Sequence, residues 1–177
     1  MKRLVFISAF MISATLWSQI SPQSKKVTKT FFPDYEALDN TTPALQKKKG
    51  YTNYSELMAF LNNLVDKHPD IVQLRYIGES QKGKKIPLLS LNKTSSTPKI
   101  KVWMMGGLHG NEPASTEGML YFLDKILNDL EVSYLLDKIE LAVVPMANID
   151  GYLKQSRYAA NGLDLNRDQT KLSLIHI

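Results

Sequence analysis

Cysteine is absent from the 177 residues, and histidine occurs only three times. Without cysteine there are no disulfides, no thiolate zinc ligands and no lipid-modified cysteine behind a leader. Long apolar runs are also missing. The longest, Leu4 to Trp17, falls short of the ~20 residues that span a bilayer. Excess charge is small: the formal net charge is +5, and +3 once Lys2 and Arg3 are set aside, 20 basic residues against 17 acidic. The basic residues are scattered apart from Lys47-Lys48-Lys49, a solvated linker end, and form no aromatic-studded face. That argues against nucleic acid as a partner. No internal repeat or long low-complexity tract is present.

What is there suits one packed domain. The chain is 44% hydrophobic and 22% charged, enough apolar surface for a single core. Its start differs from the rest. Lys2-Arg3, the apolar run from Leu4 and then Ser18-Gln19 have the layout of a secretory signal peptide covering residues 1–18. This predicts a secreted or periplasmic protein with no stable membrane insertion after signal cleavage. Residues 19–50 mix Ser, Thr, Pro, Lys and Asn without a sustained period and read as a linker or N-terminal arm.

From Tyr51 the pattern becomes regular. Ser55 is placed to cap a helix with Leu57, Met58, Leu61, Leu64 and Val65 on one stripe, ended by His68-Pro69. Ile71 to Ile77 and Ile86 to Leu91 read as strands joined by a hairpin-like turn over Gly78 to Lys84. Thr94 to Pro98 is a loop. Lys101 to Met105 is a third strand, apolar enough to be central. Ser115 to Leu130 reads as an amphipathic helix, Ile139 to Pro145 as a fourth strand, and Asn148 to Gln169 as a polar loop. Strands alternating with amphipathic helices predict an α/β domain with a largely buried sheet.

The chemistry concentrates in two loops. Ligands in open α/β sheets gather beyond the carboxyl ends of central strands, where both loops lie. The first reads Gly-Gly-Leu-His-Gly-Asn-Glu-Pro from Gly106. An imidazole and a carboxylate are both good zinc ligands. The glycines permit a tight turn that sets His109 and Glu112 on one side, and Pro113 disfavours helical geometry at Glu112. An isolated His-x-x-Glu is usually a coincidence, and a glycine-rich strand-to-helix loop also suits phosphate. Neither G-x-G-x-x-G nor Gly-Lys-Ser/Thr occurs here, which weakens the phosphate reading. The second loop carries Arg157 and Arg167 near Asn161 and Asn166. Guanidinium groups grip carboxylates in a bidentate way; the alternative is surface pairing with Asp150, Asp164 or Asp168.

Taken together, five segments in order resemble the zinc metallocarboxypeptidases, the family of carboxypeptidases A and B. They are Tyr54-Ser55-Glu56; Ile77-Gly78-Glu79-Ser80 with Gly83-Lys84; Gly107 to Glu112; Asn148-Ile149-Asp150-Gly151; and Asn161 to Arg167. The resemblance spans about Tyr51 to Lys171. It implies a carboxypeptidase-like mixed sheet flanked by helices, truncated after about four strands, over residues 51–171. It implies Zn2+ as cofactor, with His109 and Glu112 as the first two ligands. Arg157 would polarise the scissile carbonyl, and Asn166 with Arg167 would bind the terminal carboxylate of a peptide or protein substrate. A departure is Asp168-Gln169, where the family often has Asn and an aromatic residue. The family's third ligand, a later histidine, and its general base, a glutamate, find no counterpart; His176 lies too close to Arg167.

The expected function is therefore a zinc-dependent metallocarboxypeptidase, the chain as given being an inactive N-terminal part. Residues 172–177, Leu-Ser-Leu-Ile-His-Ile, read as a non-native tail. Two alternatives stay open: a zinc deacylase of the same fold acting on N-acyl amino acids, and a non-catalytic fragment.

Overall fold

The computed structural model describes residues 24–31 and 42–167. The expected signal peptide, Asp168-Gln169, His176 and the expected tail lie outside the described residues. Two compact units divide between Asp39 and Asn40. In the first, α1 (Lys25–Phe31) is a two-turn helix with no buried residue, in a stretch whose sequence shows no period. No helix among the described residues is long and apolar enough to cross a membrane.

The second unit opens on a turn and then α2 (Tyr54–Lys67). Asn53, not Ser55, caps it: its side chain accepts from the Glu56 amide while the Glu56 carboxylate accepts from the Asn53 amide. Both residue types are good caps; Asn53 wins because Glu56 stands three residues on and completes a reciprocal box. Leu57, Phe60, Leu61 and Leu64 are buried on the inner face, and Met58 and Val65 lie at its margin. His68 ends the helix, and its ring meets Asn128.

Strands β1 (Val72–Glu79) and β2 (Lys85–Leu91) form an antiparallel hairpin with an irregularity between Tyr76 and Gly78. Then come β3 (Ile100–Met105), α3 (Ala114–Asn128), the short α4 (Leu130–Ser133) and β4 (Ile139–Val144). The order is β1-β2-β4-β3, with β2 and β4 antiparallel and β4 and β3 parallel. This is the expected mixed α/β sheet.

Two further details differ from expectation. β3 is not central but an edge among the described strands, with Ile100, Trp103 and Met105 exposed. An apolar run reports what a strand can bury, not what lies beside it. The helix expected to reach Leu130 stops at Asn128, because Asp129 takes an extended conformation and caps α4 with its own side chain. Leu130 is left 90% exposed. The core joins α2 to the sheet and α3 through Leu61, Leu89, Leu91, Leu120, Leu123 and Val143.

Candidate active site

β3 and β4 run side by side in the same direction, so their carboxyl ends release two loops at one edge. Backbone pairing continues past both strands. Gly106 donates to Val144, Ala147 to the Gly106 carbonyl and Asn148 to the Gly107 carbonyl, each within 2.9 Å. The Asn148 side chain donates to the Leu108 carbonyl. The first loop turns on Gly107, at φ +64°, a conformation costly for residues with a Cβ. Ser115 on α3 holds it, accepting from the Gly107 amide and donating to the Glu112 carbonyl. Thr116 donates to the Pro145 carbonyl across the gap.

The polar run from Asn148 is not all loop. Asn148 caps a helical turn, α5 (Ile149–Leu153), whose Ile149, Asp150, Gly151 and Tyr152 are buried. The polar residues turn inward there. Asp150 accepts from the Ser80 hydroxyl and the Lys82 amide, which latches α5 to the β1–β2 turn. Glu117 on α3 accepts from the Thr52 amide and hydroxyl and from the Tyr152 hydroxyl. Burial and then the Glu117 charge push the Tyr152 phenol far above its ordinary range. Gly110 rests directly on the Gly151–Tyr152 backbone: a Cβ there would lie 2.0 Å from the Gly151 carbonyl carbon.

This stitching brings three of the five expected site residues together. His109 is 9% exposed, and its Nδ1 lies 3.2 Å from Oε1 of Glu112, which is 58% exposed. Arg157 Nη1 lies 3.4 Å from the same Oε1. The arginine also pairs with one of the aspartates that the sequence offered as its alternative partner: its Nε donates to Asp164 Oδ2 at 2.9 Å. Asp164 Oδ1 meets His109 Nε2 at 3.1 Å and accepts from the Asn166 amide. Burial pushes the Asp164 carboxyl up. Hydrogen bonds from Arg157, then His109 and the Asn166 backbone, outweigh it and hold the group below the ordinary carboxylate range. Asn166 and Arg167 follow on the exposed side of the turn.

The sequence offers Asp164 as a surface partner for arginine and within the Asn161–Arg167 segment, but nothing in its spacing marks it as the residue joining ring and guanidinium. It gives His109 Nε2 a carboxylate partner while Nδ1 faces Glu112 at 3.2 Å. In the tautomer that carries its proton on Nε2, Nδ1 offers a lone pair on the same side as the Glu112 carboxylate. Two ligands at ~2.1 Å on a tetrahedral zinc stand about 3.4 Å apart, so the pair fits that ion as two of its ligands. Among the described residues, no group of three or more His, Cys, Asp or Glu could hold a metal.

Comparison with known proteins identifies the family. The profile described as zinc carboxypeptidase matches residues 57–172. Carboxypeptidase 2 of Trichophyton rubrum is 39% identical over 102 residues, covering 54% of this chain and 19% of that protein. Carboxypeptidase E of Caenorhabditis elegans is 30% identical over 145 residues, covering 71% and 31%. Carboxypeptidase A from Helicoverpa armigera superposes with a TM-score of 0.59 at 26% identity, covering 66% of this chain and 32% of that one. A metallo-carboxypeptidase from Burkholderia cenocepacia shares the fold with a TM-score of 0.61, covering 67% and 32%. The chain thus spans between a fifth and a third of the length of these proteins. With the profile covering well over half of it, the chain belongs to the zinc carboxypeptidase family.

Proposed function

We propose that this chain carries the first half of the catalytic centre of a zinc-dependent carboxypeptidase, which hydrolyses the C-terminal peptide bond of peptides or proteins. One observation carries the reading: His109 Nδ1 and Glu112 Oε1 face each other at 3.2 Å, with Arg157 3.4 Å from that same oxygen. His109 and Glu112 would hold Zn2+, which when bound supplies a Lewis acid for the scissile carbonyl and an activated water.

The chain's own residues do the rest. Asp164 would accept a hydrogen bond from the His109 Nε2–H, which leaves Nδ1 free to bind. Arg157, steadied through Nε by Asp164, offers Nη1 to the oxygen that gains charge as the carbonyl carbon becomes tetrahedral. Asn166 and Arg167, two and three residues after Asp164, would grip the terminal carboxylate with an amide and a fork of N–H groups. The third ligand and the general base that the family resemblance implies have no counterpart among the described residues. Export behind residues 1–18 belongs to the same reading, and N-terminal sequencing of secreted protein beginning at Gln19 would support it.

The test replaces Arg157 by Ala in a zinc-loaded full-length version, one that continues through a third ligand and a general base. Turnover of a C-terminal peptide substrate should fall by about 100-fold or more, the typical effect of removing one oxyanion donor, with zinc content unchanged. Full activity in the variant refutes the assignment. N-acyl amino acids assayed beside peptides separate the deacylase reading, which predicts the opposite preference.

A further inference from the structure

A cleft away from the paired loops lies between α2 and α3. Its volume is about 430 Å3, within the range of small-ligand pockets. Glu56, Phe60, Asn63, Leu64 and Lys67 line it from α2, and Asp124 from α3. The α2 residues fall on one side of the helix. Phe60 and Leu64 are buried and give the cleft an apolar floor. None of its lining belongs to the His109–Glu112 site.

Three charged groups line it. Glu56 is committed: its carboxylate accepts from Lys47 at 2.6 Å and from the Asn53 amide. Asp124 is only 8% exposed, so water screens its charge poorly. Lys67 stands exposed in the last turn of α2 and makes no ion pair among the described residues. Both groups lie at one end of the cleft. The His68 ring meets Asn128 Oδ1 at 3.2 Å, and the Asn128 side chain donates to Asp124 Oδ1 at 3.0 Å. That chain ties the end of α2, where Lys67 precedes His68, to the end of α3. Asn63 adds an exposed amide one turn before Lys67.

Such a lining sorts ligands by charge. A simple anion would face Asp124, and a simple cation would face Lys67. A neutral apolar molecule would cover the Asp124 carboxylate at a desolvation cost. A zwitterion suits both groups, with its ammonium at Asp124 and its carboxylate at Lys67 and the Asn63 amide. An apolar side chain would then cover Phe60 and Leu64.

We propose that this cleft binds a free α-amino acid with an apolar side chain. Binding is independent of the carboxypeptidase reading; under that reading the ligand would be the released product, held apart from the zinc pair.

The probe is L-leucine, titrated into zinc-free chain at neutral pH. Backbone amide NMR signals of Asn63, Lys67 and Asp124 should shift, and those of His109 and Glu112 should not. N-acetyl-leucine, which lacks the ammonium, should bind about tenfold more weakly or worse, since it leaves a buried carboxylate unmatched. Leucinamide, which lacks the carboxylate, should lose about threefold, as befits an exposed pair. Lys67→Gln should lose the same factor for leucine and nothing further for leucinamide, with an unchanged melting temperature. Unshifted signals at millimolar leucine overturn the proposal. So do equal affinities for leucine and N-acetyl-leucine, an unchanged constant in Lys67→Gln, or tighter binding of a diamine at the same signals. A chain that takes up no zinc but binds leucine refutes the carboxypeptidase reading alone.

Discussion

Gly110 offers the sharpest test of how the two loops are held together. An alanine Cβ at this position would meet the Gly151 carbonyl carbon at 2.0 Å, the Tyr152 nitrogen at 2.2 Å and the Gly151 oxygen at 2.3 Å. All three are backbone atoms on the capped turn α5, so no side chain can swing aside. Reaching the 3.4 Å of ordinary contact demands a separation of about 1.4 Å. The Ser156 amide donates to the Gly151 carbonyl, so Arg157 would move with that backbone. The 3.4 Å approach of Nη1 to Glu112 would then open beyond hydrogen-bond reach. Overpacking of this kind costs roughly 1–3 kcal/mol or more. At about 3–5 °C per kcal/mol for a domain of this size, the melting temperature of Gly110→Ala should fall by roughly 5–10 °C. A 1 Å misplacement also costs on the order of 100-fold in rate. Gly118 is the control. It lies inside α3 with nothing within 4 Å of its Cβ position, so Gly118→Ala should gain about 1 kcal/mol of helix propensity and melt a few degrees higher. Equal melting temperatures for the two variants, by circular dichroism, would refute the idea that Gly110 marks a backbone contact between the loops.

Two further outcomes follow from the same hydrogen bonds. Asp164→Asn keeps the shape but removes the charge that orients His109 and Arg157; zinc affinity, by competition with a chromophoric chelator, should drop by about 10–100-fold, and an unchanged constant would show the contact to be incidental. The Lys47 ammonium, then the Asn53 amide, hold the Glu56 carboxyl below its ordinary range. A depressed folded value means the box stabilises above the unfolded value and loses that effect as pH falls through the folded one. Thermal melts of wild type and Glu56→Gln should therefore differ at neutral pH and converge in acid; a constant gap would place the effect elsewhere.

Much of the architecture was written in periodicity, and the departures have identifiable causes. The α2 stripe was readable because Leu57, Leu61 and Leu64 recur at helical spacing, and each is at most 2% exposed. Its cap was misplaced by two residues because Ser55 and Asn53 are both competent; only the partner at Glu56 decides between them. The rank of β3 in the sheet was not legible at all. Neighbour order is a property of pairing between strands, and Ile100 to Met105 carries no residue that specifies β4 on one side and none on the other among the described strands.

The site shows the same division more sharply. His109 and Glu112 were legible because their chemistry and their separation lie within one turn. Asp164 was not, because its meaning depends on a contact 55 residues away in sequence, and an aspartate among turn residues is ordinary. Only stacking β3 beside β4 makes it a hinge between ring and guanidinium. The resemblance motifs divide in the same way. In Asn148-Ile149-Asp150-Gly151, Asn148 caps and Asp150 latches the β1–β2 turn through Ser80 and Lys82, while Gly151 accepts the close approach of Gly110. None of them touches the His109–Glu112 pair. Each fixes one degree of freedom between the two loops beside it. A metal pair held to tenths of an ångström needs that rigidity as much as it needs its own two side chains.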